Sequence, residues 1–412
     1  MDKLRIAFLT YRGNMRCGGQ GVYTWNLVKE MQRLGHEVTV INGPPFIDPL
    51  EGVDEVKLPS LIEAYEQFFP NSTARLLNPI NFFEWMNIRT QGFPEPFTFS
   101  LRTYRYLKPY LADGKFDLVH DNQCLGYGLL LLRRFVPVTA TVHHPLHIDR
   151  VAYLNQGRSW WERLKMKRFF SFISMQDRVV PRLDALVTVS QAARQANAEA
   201  FRIPNKDIHI IYNGVDTEVF RPLDLPRDEN RLLVVTNTED RKKGILYLFQ
   251  ALCQLPQEVK LTVVDEVNED KYAYQLRREL GLEDRVTFTG HLPQEELVRQ
   301  FNTCTAAVVP SVYEGFGLPA AEASACGTPV ITTTGGALPE VVEHGDSGLL
   351  VPPMDPDALA EAIYTLVNSP GLRDKLGRGG RRRVEKLFTW EKAAREHIDL
   401  FREVIHDYHR TG

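Results

Sequence analysis

The sequence predicts an α/β protein of two doubly wound, Rossmann-like parallel-sheet domains, and three observations carry that prediction. Short β-branched runs alternate with amphipathic helical patterns in two successive series, which is the mark of βαβ units. A stretch rich in proline and charge, "RPLDLPRDEN", separates the two series. A chain of 412 residues suits two domains better than one.

The first series reads "LRIAFLTY", "HEVTVIN", "FDLVHDN", "VPVTATVHH", "ALVTVS" and "IHIIYNG", and the second "RLLVVTN", "VKLTVVD", "RVTFTG", "AAVVPS", "TPVITTT" and "GLLVPP". The expected boundaries are a first domain over 1–221, a linker over 222–230 and a second domain over 231–389. The closing helical stretch, 390–412, can pack on either domain. Two segments interrupt the first series. Residues 60–110, rich in aromatics and prolines, read as an insertion rather than sheet. Residues 158–182 carry seven Lys/Arg against two acids, with Trp and Phe between them. Such a stretch is either a helix with its aromatics in the core or a basic aromatic helix lying on an anionic membrane surface.

Hydrophobic content of 43% and charged content of 25% are those of a globular protein. The net charge of -3 gives no global attraction to nucleic acid or membrane, so such a partner needs a local patch. Five cysteines are scattered without paired or metal-type spacing, so a reducing, cytoplasmic location is expected. The longest apolar run, "CLGYGLLLL", stops at Arg133-Arg134, short of a membrane span. The opening "MDKLRIAFLTYRG" reads as a first buried strand rather than a signal peptide.

Four constellations point to chemistry. The first βα turn, "YRGNMRCGGQGV", puts Gly18 and Gly19 where backbone can approach a ligand closely at a helix start. A dinucleotide fold also wants an acid at the end of the second strand, and "VTVINGPP" offers Asn42 instead, which disfavours an NAD enzyme. "TVHHP" places His143 and His144 at the carboxyl edge of the sheet, to close the strand or to meet a polar ligand; no acid or Cys nearby has zinc-ligand spacing. "TEDRKKG" puts Arg241, Lys242 and Lys243 after the first strand of the second domain, either solvated or neutralising a phosphate. "EGFGLPAAE" reads as strand, glycine loop, helix, with Glu314 on the loop and Glu322 in the first turns of a helix. Either the two carboxylates are solvated or dipole-complementing, or the segment docks an anionic ligand.

Taken in order, "GGQGVYTWNLVKEMQRLGHEVTVI", "TVHHP", "IHIIYNGVDTEVFRP", "KKGILYLFQAL", "YEGFGLPAAEASACGTPVITTTGGALPEVV" and "SGLLVPPMDPDALAEAI" resemble the family 4 retaining glycosyltransferases of the GT-B fold. The resemblance spans nearly the whole chain, and its most specific element is Glu, seven residues, Glu. It implies two domains facing each other across a cleft, with the last helix crossing back to the first. It also implies transfer of a hexosyl group from a UDP-, GDP- or ADP-sugar without a metal or other cofactor. By resemblance, Glu314 and His143 lie against the donor sugar. The backbone N–H groups of Phe316, Gly317 and Leu318 meet sugar hydroxyls and phosphate. Glu322 accepts from the ribose, Gly18 and Gly19 approach the diphosphate, Lys243 binds phosphate, and the backbone of Leu292 meets the base.

One departure stands out: the family's arginine five residues before that lysine is Thr238 here, so Arg241 or Lys242 is expected to supply the charge. "VVDEV" also lacks the glycines usual after its strand. The alternatives are a GT-B sugar-nucleotide epimerase or phosphorylase, and a non-catalytic nucleotide-sugar binding module. The expected partners are the nucleotide sugar and a glycan, lipid-linked or small-molecule acceptor, with no nucleic acid, and a peripheral membrane contact through 158–182.

Overall fold

The computed structural model describes residues 3–13, 19–61, 73–154 and 159–411. Its contacts divide the chain into two compact units, Met1–Val189 with Ala193–Ile211 and Ala393–Gly412, and Ser190–Ala192 with Tyr212–Lys392.

The first unit is a parallel sheet of β1 (Arg5–Thr10), β2 (Glu37–Asn42), β3 (Asp54–Lys57), β4 (Leu118–Asn122), β5 (Val138–Thr141), β6 (Ala185–Thr188) and β7 (Ile208–Ile210), in the order β3-β2-β1-β4-β5-β6-β7. The second unit holds β8 (Arg231–Val235), β9 (Lys260–Val264), β10 (Val286–Phe288), β11 (Ala306–Val309), β12 (Val330–Thr333) and β13 (Gly348–Val351), in the order β10-β9-β8-β11-β12-β13. Central strands such as β4, β5 and β11 are buried at every position, as strands covered by helices on both faces must be. That burial is why their apolar runs are continuous. The edge strand β3, "DEVK", is half-exposed and charged, and the apolar pattern does not reveal it.

In each sheet the chain runs outward in one direction, returns, and continues on the other side. The reversal falls between β1 and β4 in the first sheet and between β8 and β11 in the second. Loops leaving the carboxyl ends of those two neighbours diverge, which opens a crevice for a ligand.

Of the stretch 60–110, residues 62–72 lie outside the described residues, and its last part is not an insertion. The helix Glu95–Ala112 buries Phe99, Leu107 and Leu111 in the core with Leu9 and Val119, so it is one of the helices that cover the sheet. The four-residue spacing of Phe99, Thr103, Leu107 and Leu111 carries that buried stripe inside an aromatic-rich context. The stretch 158–182 is not one helix. A capping box of Ser159 and Glu162 starts Trp160–Phe169, which has no fully buried residue and packs only Met166 and Phe169 against the core, and a 3-10 turn, Phe170–Phe172, leads into Ile173–Val179. Phe170, Phe172 and Ile173 are core, whereas Trp160 and Trp161 are each 64% exposed and Leu164 49%. The chain enters the second unit at Tyr212, and the proline-rich stretch is packed rather than free: the Leu223 N–H donates to Asn302 Oδ1 (2.7 Å) and Arg227 Nη2 to the Gly327 carbonyl (2.9 Å). From Ala393 onward the helix Trp390–Thr411 belongs to the first unit, laying His397 and Phe401 against His120 of β4.

One buried charge ties the helices Pro79–Arg89 and Glu95–Ala112 together. Glu84, fully buried, accepts from Ser60 Oγ (2.8 Å), the Leu61 N–H (3.0 Å), Thr98 Oγ1 (3.2 Å) and Arg102 Nη2 (2.6 Å). Truncation leaves a nearly buried guanidinium and three donors without their acceptor. Glu84→Ala is expected to destabilise the first unit by about 3 kcal/mol; a urea midpoint unchanged from wild type is the contrary result.

Candidate functional site

In the second unit, the crevice between β8 and β11 is where the chemistry-bearing side chains collect. The chain leaving β8 reaches a 3-10 turn, Arg241–Lys243, whose start is fixed by Asp240 accepting from the Lys242 N–H (3.0 Å). Gly244 ends the turn at φ +71, and a Cβ there would lie 2.0 Å from the Pro310 carbonyl, so only glycine lets this loop press against the end of β11. The Val312 N–H donates to the Lys242 carbonyl (2.7 Å) and locks the two loops. As a result Lys243 Nζ stands 2.8 and 3.0 Å from the two carboxylate oxygens of Glu314, and Ser311 Oγ donates to the same carboxylate at 2.7 Å. Three groups from two loops form one charged, partly open cluster.

Beyond Glu314 the loop turns through Gly317 at φ +101, where a Cβ would come within 2.8 Å of Leu338. Pro319 follows in the first turn of the helix Leu318–Ala325, and no side chain caps that helix start. Its first N–H groups lack intrahelical partners, which is where an anion is favoured. Phe316 is buried against Phe388 and Tyr212 and anchors the loop from below. The carboxyl of Glu322, one turn into the helix, has no hydrogen-bonding or ionic partner among the described residues, and desolvation pushes it up to about 8. This is a polar group held ready without a protein partner.

Thr238 is fully buried, and both its N–H and its hydroxyl donate to Asp265 Oδ2 (2.8 and 2.6 Å), so the position offers a ligand no side-chain group. Asp265, just after β9, thus engages the side chain that stands where the guanidinium is expected. Arg241 lays its guanidinium over the Tyr272 ring at 4.5 Å. Leu292 lies in the turn between β10 and the helix Gln294–Thr303, half-buried.

The first unit holds the remaining predicted residues. Gly18 lies outside the described residues. Gly19 starts the helix Gly19–Arg33, and a Cβ there meets nothing within 4 Å. His143 follows β5; its Nε2 is 2.8 Å from Asn122 Oδ1, its backbone N–H donates to Gln123 Oε1 (2.8 Å), and the Tyr23 ring packs edge-on at 4.7 Å. Desolvation and the neighbouring imidazoles of His144 and His397 push His143 down to about 3, so it is neutral. His144 pairs with Asp149 instead (3.0 Å).

Behind His143 runs a chain of neutral groups whose direction is fixed by one carbonyl. His397 Nδ1 must donate to the Ala393 carbonyl (2.8 Å) and, with burial holding it down to about 4, its Nε2 accepts from Tyr23 Oη (2.9 Å). Tyr23 then accepts from Thr141 (2.9 Å), Thr141 from His120 Nε2 (3.1 Å), and His120 Nδ1 from Thr139 (2.8 Å). Residue-by-residue reading overlooked Ser311, Asp265, Asn122 and His397; the first three stand at the ends of recognised strand runs, and strand ends are where this fold places function.

An apolar cavity of about 520 Å³ also lies in the first unit, lined by Phe93, Phe169, Phe170 and Met166, with the Arg12–Glu95 ion pair at its wall. Among the described residues no cluster of three or more His, Cys, Asp or Glu side chains could hold a metal, and no helix is long and apolar enough to cross a membrane.

Two parallel sheets, each with a reversal crevice, define the class as GT-B, and comparison with known proteins agrees. The model of "Glycosyltransferase Family 4" matches residues 17–219, and that of "Glycosyl transferases group 1" matches 215–383. A protein named MMP alpha-(1->4)-mannosyltransferase, from Mycolicibacterium hassiacum, is 38% identical over 98% of both chains. Sucrose-phosphate synthase from Thermosynechococcus elongatus superposes with a TM-score of 0.74 at 25% identity, covering 98% of this chain and 100% of that one. Anabaena HepE, solved with UDP and glucose, shares the fold with a TM-score of 0.70 at 18% identity, covering 97% and 100%. The chain belongs to the group 1, family 4 glycosyltransferases, and it is a glycosyltransferase of the GT-B fold.

The raised Glu322 has a thermodynamic consequence. Because folding lifts its pKa from 4.5 to about 8, the stability it contributes is complete below pH 4.5 and is lost as pH rises through about 8. Glu322→Gln mimics the protonated form at every pH. The variant should match wild type at about pH 3.5 and be the more stable of the two at about pH 8.5, with the gap opening between. A pH-independent difference in melting temperature contradicts this.

Proposed function

We propose that the chain is a retaining hexosyltransferase that moves a mannosyl group from a nucleoside diphosphate sugar to a glycan, lipid-linked or small-molecule acceptor, without a metal. The observation that carries this reading is the Lys243–Glu314–Ser311 cluster set beside the uncapped start of the helix Leu318–Ala325. Mannose is assigned from the name of the relative that matches this chain over its full length at 38% identity.

The roles follow the chemistry of each group. The leaving diphosphate gains negative charge as the sugar departs, and Lys243, with the free N–H groups at Gly317 and Leu318, is placed to offset it. Phosphate entry draws Lys243 away from an exclusive pair with Glu314, so the carboxylate gains freedom to face the sugar. Glu322, with no protein partner, accepts from the ribose hydroxyls. By resemblance Gly18 and Gly19 are assigned to the diphosphate, the backbone of Leu292 to the base and His143 to the sugar. Arg241, stacked on Tyr272, brings a further cation near the phosphate side, and Thr238 acts only by holding Asp265.

Lys243→Ala should weaken nucleoside diphosphate binding about 10- to 100-fold, the worth of a charged hydrogen bond or two. Glu314→Gln should lower kcat far more than nucleotide affinity, because its contact matters most as charge develops. Calorimetry with GDP, UDP and ADP and turnover of GDP-mannose, UDP-glucose and ADP-glucose, with and without EDTA, check both variants and the donor. Wild-type turnover in Glu314→Gln, or activity abolished by EDTA, goes against this assignment. The anomeric configuration of the product, read by NMR, tests retention.

A second reading concerns where the acceptor is met. Trp160, Trp161 and Leu164 stand exposed on a helix that also carries Arg163, Lys165, Lys167 and Arg168 against one acid, Glu162. A Trp pair flanked by cations fits an anionic lipid surface, each cation adding about 1 kcal/mol at low salt. Co-sedimentation with phosphatidylglycerol vesicles should be seen at low salt, weaken in high salt, and fall in a Trp160→Ser, Trp161→Ser variant. Absence of binding at low salt assigns a soluble acceptor.

A further inference from the structure

We infer that Asn122 is a positioning residue that holds His143 in the tautomer with its proton on Nε2, so that Nδ1 is presented as a hydrogen-bond acceptor for a hydroxyl of the donor sugar. This rests on the assignment of His143 to the sugar made above, and it specifies what kind of contact His143 can make.

The argument is one of donors and acceptors within the first unit. Asn122 is fully buried, and its Nδ2 lies 3.1 Å from the Gln20 backbone carbonyl, which can only accept. Its second Nδ2 contact is Thr24 Oγ1 at 2.8 Å, and Thr24 spends its own proton on the same Gln20 carbonyl at 3.0 Å, so toward Asn122 it accepts. Both amide protons are thus committed, and turning the amide over would set two oxygens face to face. Asn122 Oδ1 is left pointing at His143 Nε2, 2.8 Å away, and an oxygen there requires the ring nitrogen to be the donor.

A neutral imidazole has one ring proton, and that bond takes it. Nδ1 is therefore bare, and among the described residues the structure gives it no protein partner. The Tyr23 ring at 4.7 Å blocks rotation on one side, and the His143 N–H bond to Gln123 fixes the backbone. Tyr23 is itself held by His397 of the final helix, so ring orientation and tautomer are set by separate parts of the unit. An acceptor at this position pairs with a sugar hydroxyl and repels a phosphate oxygen. His143 then discriminates a nucleotide sugar from the bare nucleoside diphosphate rather than adding to affinity for both.

The full chain, labelled with 15N at histidine, gives the test. In wild type the His143 ring, assigned by the signals lost in His143→Gln, should show a protonated Nε2 and an unprotonated Nδ1. Asn122→Leu, of similar volume, should remove that preference. It should also weaken GDP-mannose binding severalfold to tenfold by calorimetry while leaving GDP affinity within twofold of wild type. A protonated Nδ1 in the wild-type spectrum overturns the inference even if Asn122→Leu does not fold. A variant that loses the tautomer yet binds GDP-mannose and GDP in the wild-type ratio overturns the acceptor role. Should GDP-mannose prove not to bind wild type, the proposed function fails by itself, and the wild-type spectrum still decides the tautomer.

Discussion

Every functional feature of this protein depends on the reversal of strand order in its two parallel sheets. Where neighbouring strands send their chains to opposite sides, no backbone crosses the space beyond their carboxyl ends, and side chains from two distant loops can meet there. In the second unit those neighbours are β8 and β11, and the consequence is the contact between Lys243 and Glu314, 71 residues apart in sequence. In the first unit they are β1 and β4, and Asn122, the last residue of β4, bonds to the Gln20 carbonyl and Thr24 Oγ1 on the helix that follows β1. Glycine is required wherever a loop must come down onto a strand end, as Gly244 does onto Pro310.

The two units organise polarity in opposite ways. The second keeps formal charge, a lysine and a carboxylate paired and partly open, with a helix start beside them. Behind His143 the first is organised by neutral groups: two buried histidines, His120 and His397, with Tyr23, Thr139 and Thr141 form a chain in which each proton has one acceptor. Burial makes the neutral forms the stable ones, because an imidazolium there has no countercharge to offset its desolvation. A site of neutral, oriented groups suits hydroxyls, and one of oriented N–H groups with a lysine suits phosphate.

The pairing of Thr238 with Asp265 shows how a departure from a family pattern is absorbed. An arginine beside that buried carboxylate would be bound by it, whereas Thr238 gives the carboxylate two hydrogen bonds in addition to Lys271 Nζ at 3.8 Å.

The strand order of residue types was legible in the sequence because strands of a parallel sheet are buried on both faces and their apolar runs cannot be interrupted. The glycine loop, the helix start at Pro319 and the lysine turn were legible for a similar reason: each depends on backbone geometry that few residues supply. Tertiary structure alone decided the rest. The edge strand β3 has no covering layer to impose apolar residues. The stretch 158–182 carries Trp and Phe among cations throughout, and only packing separates the buried Phe170 and Phe172 from the exposed Trp160 and Trp161, since an aromatic ring beside a cation is stable in either setting. The partner of Thr238 and the tautomer of His143 depend on which strand ends lie side by side. Local sequence specifies the buried strands, and long-range packing alone specifies their neighbours.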